Sequence, residues 1–261
     1  MRSVQELINL SGRTALVTGG AGHIGSAVAN ALVSLGASVA IVDRDDDATD
    51  AAGQHVQGLS VRCDLEDEQS TRAAVRRVQH ELGGLDIFVH AAAFVGTSDV
   101  PGWAAPFEEQ SADAFRAALE VNLVAAFVIA QEACEALSAS NKGSIILISS
   151  IYGLVGPDGW LYEGTSMANP AGYGASKGGL QQLTRYLSTT LAPSVRANAI
   201  SPGGVYRDQP RSFVERYEQR TPLGRMATEE DLVGATVFLA SDLSSYVTGH
   251  NLVVDGGWTA W

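Results

Sequence analysis

Tyr173 and Lys177, four residues apart in "AGYGASKGG" (171–179), hold the most chemical potential in this sequence. Side chains at i and i+4 share one face of a helix. An unperturbed phenol titrates near about 10, too high for an efficient base near neutrality. An ammonium one turn away favours the phenolate and lowers that value, which suits removal of a proton from an alcohol. Taken alone, the pair fits equally a tyrosine ring packed on an aliphatic lysine stem. Tyr152 and Tyr162 lie in the same region, but neither has a lysine four residues later. Tyr162 is followed by Glu163 and Gly164, poor partners for a phenolate.

A second cluster is "TGGAGHIG" (18–25). Gly19, Gly20, Gly22 and Gly25 allow a tight strand-to-helix turn, close approach to a pyrophosphate and packing of the helix on a sheet. Amides at the helix start, around His23, Ile24 and Gly25, then face phosphate oxygens. Such turns also occur without a nucleotide, so the context matters. Asp43 stands about 20 residues further on, where a carboxylate accepts hydrogen bonds from an adenosine ribose. Its charge repels a 2′-phosphate, which favours NAD over NADP; the neighbouring Arg44 counts the other way. Asp45, Asp46 and Asp47 read as a solvated acidic turn. Asp64, with Leu65, follows a third apolar run and suits either an adenine contact or a helix N-cap.

These residues need a frame. Apolar runs of strand length, "TALVT" (14–18), "SVAIV" (38–42), "LSVRC" (59–63), "LDIFVHA" (85–91), "SIILIS" (144–149), "VRANAI" (195–200) and "NLVVD" (251–255), alternate with helical patterns. Helices are expected at 24–36, 66–82, 111–137, 173–190 and 229–240. Strands apolar nearly throughout imply a parallel sheet covered on both faces, an α/β fold of about seven strands. No linker or repeat divides residues 1–261, so one domain is expected. The segments 151–172 and 203–225 read as irregular and follow strand ends, the side where open parallel sheets bind ligands.

The chain has 261 residues, 46% hydrophobic and 18% charged, with a net charge of −12. That balance excludes a disordered chain and argues against nucleic acid as a partner. The start "MRSVQELINLSGR" lacks a secretory pattern, and no consecutive apolar run approaches the roughly 20 residues of a membrane span. Cys63 and Cys134 form no disulfide framework, and His23, His55, His80, His90 and His250 show no metal-ligand spacing. A cytoplasmic enzyme without a metal is the expectation.

In order, the "TGGAGHIG" turn, "VHAAA" after the fourth strand, "SIILISS" ending the fifth and Tyr173-x-x-x-Lys177 resemble the short-chain dehydrogenase/reductase family. The resemblance runs on through "NAISPGG" (198–204) to "VTGHNLVVDGG" (247–257). It implies a Rossmann-type doubly wound sheet, a nicotinamide cofactor and a homo-oligomer, tetramer or dimer. The implied catalytic set is Asn122, Ser150, Tyr173 and Lys177. Ser150 would donate to the substrate oxygen, Lys177 would hold the nicotinamide ribose, and Asn122 would support a proton path through its backbone and a water. Ser149 competes with Ser150, but the family's S-x-x-G register matches Ser150 and Gly153. Implied cofactor contacts extend to Ala91, Ala92, Pro202, Gly203 and Val205. Small residues at Gly172, Gly174, Ala175 and Ser176 would leave room for the cofactor.

Two features depart from the compact branch of that family. His23 stands where its TGxxxGxG has glycine, so Gly19, Gly22 and Gly25 match the TGxxGxxG of the larger, sugar-nucleotide branch. His90-Ala91-Ala92-Ala93 likewise replaces NNAG and is similar to that branch's HxAA. The interval from Ser150 to Tyr173 is also longer than usual. Its insertion "PDGWLYEGTSMANP" carries Trp160, Tyr162, Glu163, Thr165, Met167 and Asn169, which suit a sugar-like or polyol substrate or else pack as a surface loop on itself or on a neighbouring subunit. Arg207, with Arg211, is a candidate for an anionic substrate group or for solvated charge. The ending "DGGWTAW" offers Trp258 and Trp261 to another subunit. The expected activity is NAD-dependent interconversion of a secondary alcohol and a ketone. An NAD-retaining sugar-nucleotide epimerase or dehydratase and a non-catalytic NAD-binding protein are the alternatives.

Overall fold

Short runs of β-branched and aliphatic residues, each followed by a turn and an amphipathic helix, can bury their side chains only by stacking strands in one layer between helices. The computed structural model describes residues 1–95 and 100–261 and contains that arrangement. Strands β1 (Thr14–Thr18), β2 (Ser38–Asp43), β3 (Leu59–Arg62), β4 (Ile87–His90), β5 (Gly143–Ile148), β6 (Val195–Pro202) and β7 (Asn251–Val254) form a sheet ordered β3-β2-β1-β4-β5-β6-β7. Each pairing is parallel. The helices are α1 (Val4–Ile8), α2 (His23–Ser34), α3 (Asp46–Val56), α4 (Glu68–Leu82), α5 (Ala112–Leu119), α6 (Ala125–Ala139), α7 (Ala171–Thr190), α8 (Arg211–Arg220) and α9 (Glu230–Ala240).

Alternation along each strand divides the core in two. Leu16, Phe88, Ile145 and Leu147 meet α4, α6 and α7 on one face. Val17, Ile87, Val89 and Ile146 meet α2 and α9 on the other. Because the strands are parallel, the carboxyl ends of β1 to β6 lie along one edge. The chain reverses its winding between β1 and β4, and the crevice there is the ligand-binding position of this architecture.

The helical run through 112–139 is long and apolar enough to cross a membrane by composition. Here Ala126, Ile129, Ala130, Ala133 and Leu137 pack into the core instead. It is also not one regular helix. Residues Glu120–Val124 form a π-turn between α5 and α6, a local widening that often marks functional sites.

Several expectations need correction. The acidic run is exposed, as expected, but starts a helix instead of forming a turn: Asp45 caps α3 by accepting from the Ala48 amide, and Asp46 and Asp47 occupy its positive first turn. Asp64 does not cap α4. That role falls to Asp67, which accepts from the Gln69 and Ser70 amides, while Asp64 closes a turn onto the Glu66 amide. Segment 203–225 contains α8, whose Phe213 and Tyr217 share a face and are buried. Trp258 is buried within its own chain, stacked on Tyr217 at 6.2 Å, whereas Trp261 is exposed.

Candidate active site

At the end of β1 the chain turns through Gly19 at φ +64°, where a side chain is strained. A Cβ there would lie 2.5 Å from the Ala92 amide nitrogen, and one at Gly25 would lie 2.0 Å from the Gly19 carbonyl oxygen. The turn therefore closes against the exit of β4 only with glycine at both places. Gly22 caps α2 without a side-chain hydrogen bond, and the first turn of that helix carries no acidic group. Its leading amides remain available to an anion such as a pyrophosphate. Asp43, at the end of β2, accepts from the Ala21 and Arg44 amides at 3.1 and 2.8 Å, which fixes its carboxylate beside the glycine turn. Ala91 and Ala92 continue from β4, Leu65 packs against the core next to Asp64, and Pro202 ends β6 with Gly203 following it. Val205 bridges to Ala227 in parallel. The cradle, the unopposed helix start and the carboxylate together fit a nicotinamide dinucleotide.

The catalytic candidates converge further along the same edge. Ser149 and Ser150 follow β5 and, being adjacent in extended chain, point oppositely. Ser149 donates to the Lys177 carbonyl at 2.8 Å and is occupied by packing. Ser150 faces the other way, and its hydroxyl favours the ionised form of Tyr173. Lys177 is 2% exposed and donates to the Ile148 carbonyl at 2.8 Å, with its nitrogen 5.6 Å from the Tyr173 ring centre. Asn122 sits in the π-turn. Its side chain accepts from the Phe94 amide at 2.6 Å and donates to the Ser176 hydroxyl at 2.9 Å. It thereby ties the exit of β4 to α7.

The electrostatics differ from the sequence-based expectation. Burial raises the Tyr173 phenol above its ordinary value, and Ser150 offsets part of that rise. Burial also lowers Lys177 from 10.5 to about 7. An ammonium half lost near neutrality cannot by itself acidify a phenol that titrates higher still. In the chain alone Tyr173 is a protonated acid, and its use as a base requires further positive charge in the pocket.

Small residues around the pair also serve the packing of α7. A Cβ on Gly172 would crowd Phe115 and Trp103 at 3.1 and 3.2 Å, so glycine there lets α5 approach α7. Ser176 donates to the Tyr173 carbonyl at 2.8 Å. Gly153 lets the turn after Ser150 meet α7, since a Cβ would fall 2.7 Å from the Lys177 carbonyl carbon.

Other candidates fall outside this cluster. Trp160 is 42% exposed, with the Arg216 guanidinium 5.6 Å from its ring centre. Arg207 pairs with Glu229 at 2.8 Å, and the same carboxylate lies 3.6 Å from His23 at the α2 start. Tyr162 turns inward and shares a 2.7 Å hydrogen bond with Tyr152. Tyr152 has no lysine four residues later, and its hydroxyl partner is instead this second phenol. His90 is fully buried, shares a 2.9 Å hydrogen bond with Thr18, and is held at about 3 by burial and then by the Lys177 charge. It is therefore neutral. A polar cleft of about 410 Å³ at the opposite edge is lined by Arg2, Arg13, Asp86, Lys142 and Asp242 and has no part in this cluster. Among the described residues no His, Cys, Asp and Glu group is placed to hold a metal ion.

A doubly wound sheet with a glycine-turn cradle and a Ser–Tyr–Lys cluster at its carboxyl edge defines a dinucleotide-dependent oxidoreductase. A family model described as enoyl-(acyl carrier protein) reductase matches residues 19–259. The chain is 36% identical over 260 residues to a cis-4-hydroxycyclohexanecarboxylate dehydrogenase of Sinomonas cyclohexanicum, covering 95% of this chain and 97% of that one. It is 34% identical to an L-fucose dehydrogenase of Oryctolagus cuniculus over 95% and 85% of the two chains. A solved short-chain dehydrogenase from Leptospira borgpetersenii with bound NAD+ superposes with a TM-score of 0.85 at 30% identity, over 99% and 96% of the chains. The chain belongs to the short-chain dehydrogenase/reductase family, oxidoreductases that act on CH–OH groups with a nicotinamide cofactor.

Proposed function

We propose that this protein is an NAD-dependent dehydrogenase that interconverts a secondary alcohol and a ketone on a cyclic, sugar-like or polyol substrate. The observation carrying this reading is the convergence of Ser150, Tyr173 and Lys177 beside the glycine cradle. Gly19, Gly22, Gly25 and the amides of His23 and Ile24 would hold the pyrophosphate, Asp43 the adenosine ribose, and Lys177 the nicotinamide ribose. A bound oxidised nicotinamide would supply the hydride acceptor and a positive charge in the pocket. Tyr173, ionised under that charge, would take the substrate hydroxyl proton at its phenolate oxygen. Ser150 donates a hydrogen bond to the same substrate oxygen and stabilises the charge that develops there. Asn122 holds α7 against the β4 exit, which keeps Tyr173 and Lys177 in register.

Asp43 supports NAD over NADP, because its carboxylate, held in place by one amide on each oxygen, keeps lone pairs for the ribose hydroxyls and would repel a 2′-phosphate. The hydroxycyclohexanecarboxylate and fucose relatives support the substrate class. Their match over nearly the whole length favours net oxidation over the NAD-retaining epimerisation suggested by the Gly19-Gly22-Gly25 spacing. A cytoplasmic homo-oligomer is the accompanying proposal. Phe127 on α6 and Tyr186 on α7, 42% and 58% exposed, are side chains that a second subunit would cover, which sedimentation would test.

The functional test follows reduced cofactor with a panel of cyclic alcohols, aldoses and polyols under NAD or NADP. Net NADH formation, with kcat/KM at least about tenfold higher for NAD, is the expected result. The Asp43→Asn variant should narrow that ratio. Product without net NADH would point to epimerisation, and a preference for NADP would overturn the role of Asp43.

A further inference from the structure

The insertion between Ser150 and Tyr173 is not a loose loop. Leu161 is fully buried with Ile151, Phe213, Tyr217, Met226 and Trp258 in a small core of its own. That core anchors two phenols. The Tyr152 ring meets Trp258 edge-on at 6.3 Å, and the Tyr162 ring is tilted against Phe213 at 5.4 Å. Their hydroxyls meet each other at 2.7 Å. Both rings are thus fixed by packing, with the polar ends turned together.

Their place relative to the chemistry is fixed by the chain. Tyr152 follows Ser150 by two residues and donates its amide to the Ser150 hydroxyl at 3.1 Å. Its carbonyl oxygen lies 3.3 Å from where a Cβ of Gly174, the neighbour of Tyr173, would stand. Asn169 is four residues before Tyr173, next to the Pro170 cap of α7. Burial holds both the Tyr152 and Tyr162 phenols above their ordinary value, and the Asn169 side chain beside them offsets part of that rise. Yet the Asn169 amide nitrogen is buried and completes no hydrogen bond. A buried amide without a partner costs roughly 1–3 kcal/mol, a cost that a ligand oxygen removes.

The hydrogen-bond inventory states what that ligand must offer. One phenol hydrogen is spent within the Tyr152–Tyr162 bond, so the pair keeps one O–H donor and free acceptor lone pairs. Asn169 adds N–H donors. A neutral hydroxyl satisfies both by accepting from the amide and donating to a phenol oxygen. A carboxylate would lose its hydration and gain nothing from Arg216 or Arg220, which are turned onto Trp160 and Trp258.

Building on the proposed dehydrogenase reading, we infer that Tyr152, Tyr162 and Asn169 form a second oxygen site beside Tyr173 that selects substrates carrying a hydroxyl near the reacting carbon. The test compares cyclohexane-1,2-diol with cyclohexanol in wild type, Asn169→Leu and Tyr162→Phe, following NADH. Wild type should prefer the diol, and each variant should lower the diol-to-monol ratio of kcat/KM about tenfold, the equivalent of one net hydrogen bond. A ratio that is unchanged, or no diol preference in wild type, overturns the site. If no alcohol yields NADH, the dehydrogenase reading falls separately. Calorimetry with the diol and the NAD-loaded protein then decides the site. Diol binding by wild type that is lost in both variants keeps it, and binding that is absent or equal in all three ends it.

Discussion

Lys177 offers the sharpest physical test, because its environment is expensive for a cation. It is 2% exposed with one backbone acceptor, and burial lowers it from 10.5 to about 7. In the unfolded chain it returns to the ordinary lysine value. Between these two values the unfolded chain binds more protons than the folded one, so stability rises with pH across that window. The cost of the buried charge is fully present below about pH 7 and fades toward about pH 10, and it amounts to on the order of 5 kcal/mol at about 1.4 kcal/mol per unit. Lys177→Met removes it and loses the bond to the Ile148 carbonyl, worth about 1 kcal/mol at any pH. Cofactor-free Lys177→Met should therefore be more stable than wild type by a few kcal/mol near pH 6. That advantage should shrink by roughly 2 to 3 kcal/mol by about pH 9. Urea unfolding of both proteins at equal concentration across this range measures the difference. A stability gap that stays flat with pH, or a variant less stable at low pH than at high pH relative to wild type, would refute the description of Lys177 as a depressed, buried ammonium.

The two adjacent serines should separate cleanly. Ser150→Ala should lower kcat by about 10²-fold with a small change in melting temperature, read by NADH formation and a thermal scan. Ser149→Ala loses the bond to the Lys177 carbonyl and should cost about 1 kcal/mol of stability as its main effect. Gly25→Ala places a Cβ 2.0 Å from the Gly19 carbonyl oxygen, so the turn must open. Dinucleotide affinity, followed by fluorescence titration, should fall by at least about tenfold.

Much of this fold is legible in the sequence because its strands are buried on both faces. Runs such as "SIILIS" carry no helical period, and glycine or proline bounds several of them. The strand ends then bring Gly19, Asp43, Ser150 and Pro202 to one edge without further information. What escaped is what neighbours decide. The helix α3 begins in an exposed acidic run, and residue types alone do not mark Asp45 as its cap. The π-turn at Asn122 leaves no mark in a pattern that continues apolar on both sides. Phe213 and Tyr217 stand at helical spacing within α8, a signal hidden among charged residues. The opposed shifts of Tyr173 and Lys177 depend on burial, which residue types alone do not specify. Tyr152 lacks a lysine at helical spacing, and its partner, another phenol ten residues on, is set by the packing of the insertion.

The most direct measurement compares wild type with Tyr173→Phe for NAD-dependent oxidation of the best substrate, alongside NADH binding by both. Removal of the acid/base should lower kcat by about 10² to 10⁴-fold, with NADH affinity within about threefold of wild type. Turnover by the phenylalanine variant at the wild-type rate would contradict Tyr173 as the group that carries the proton.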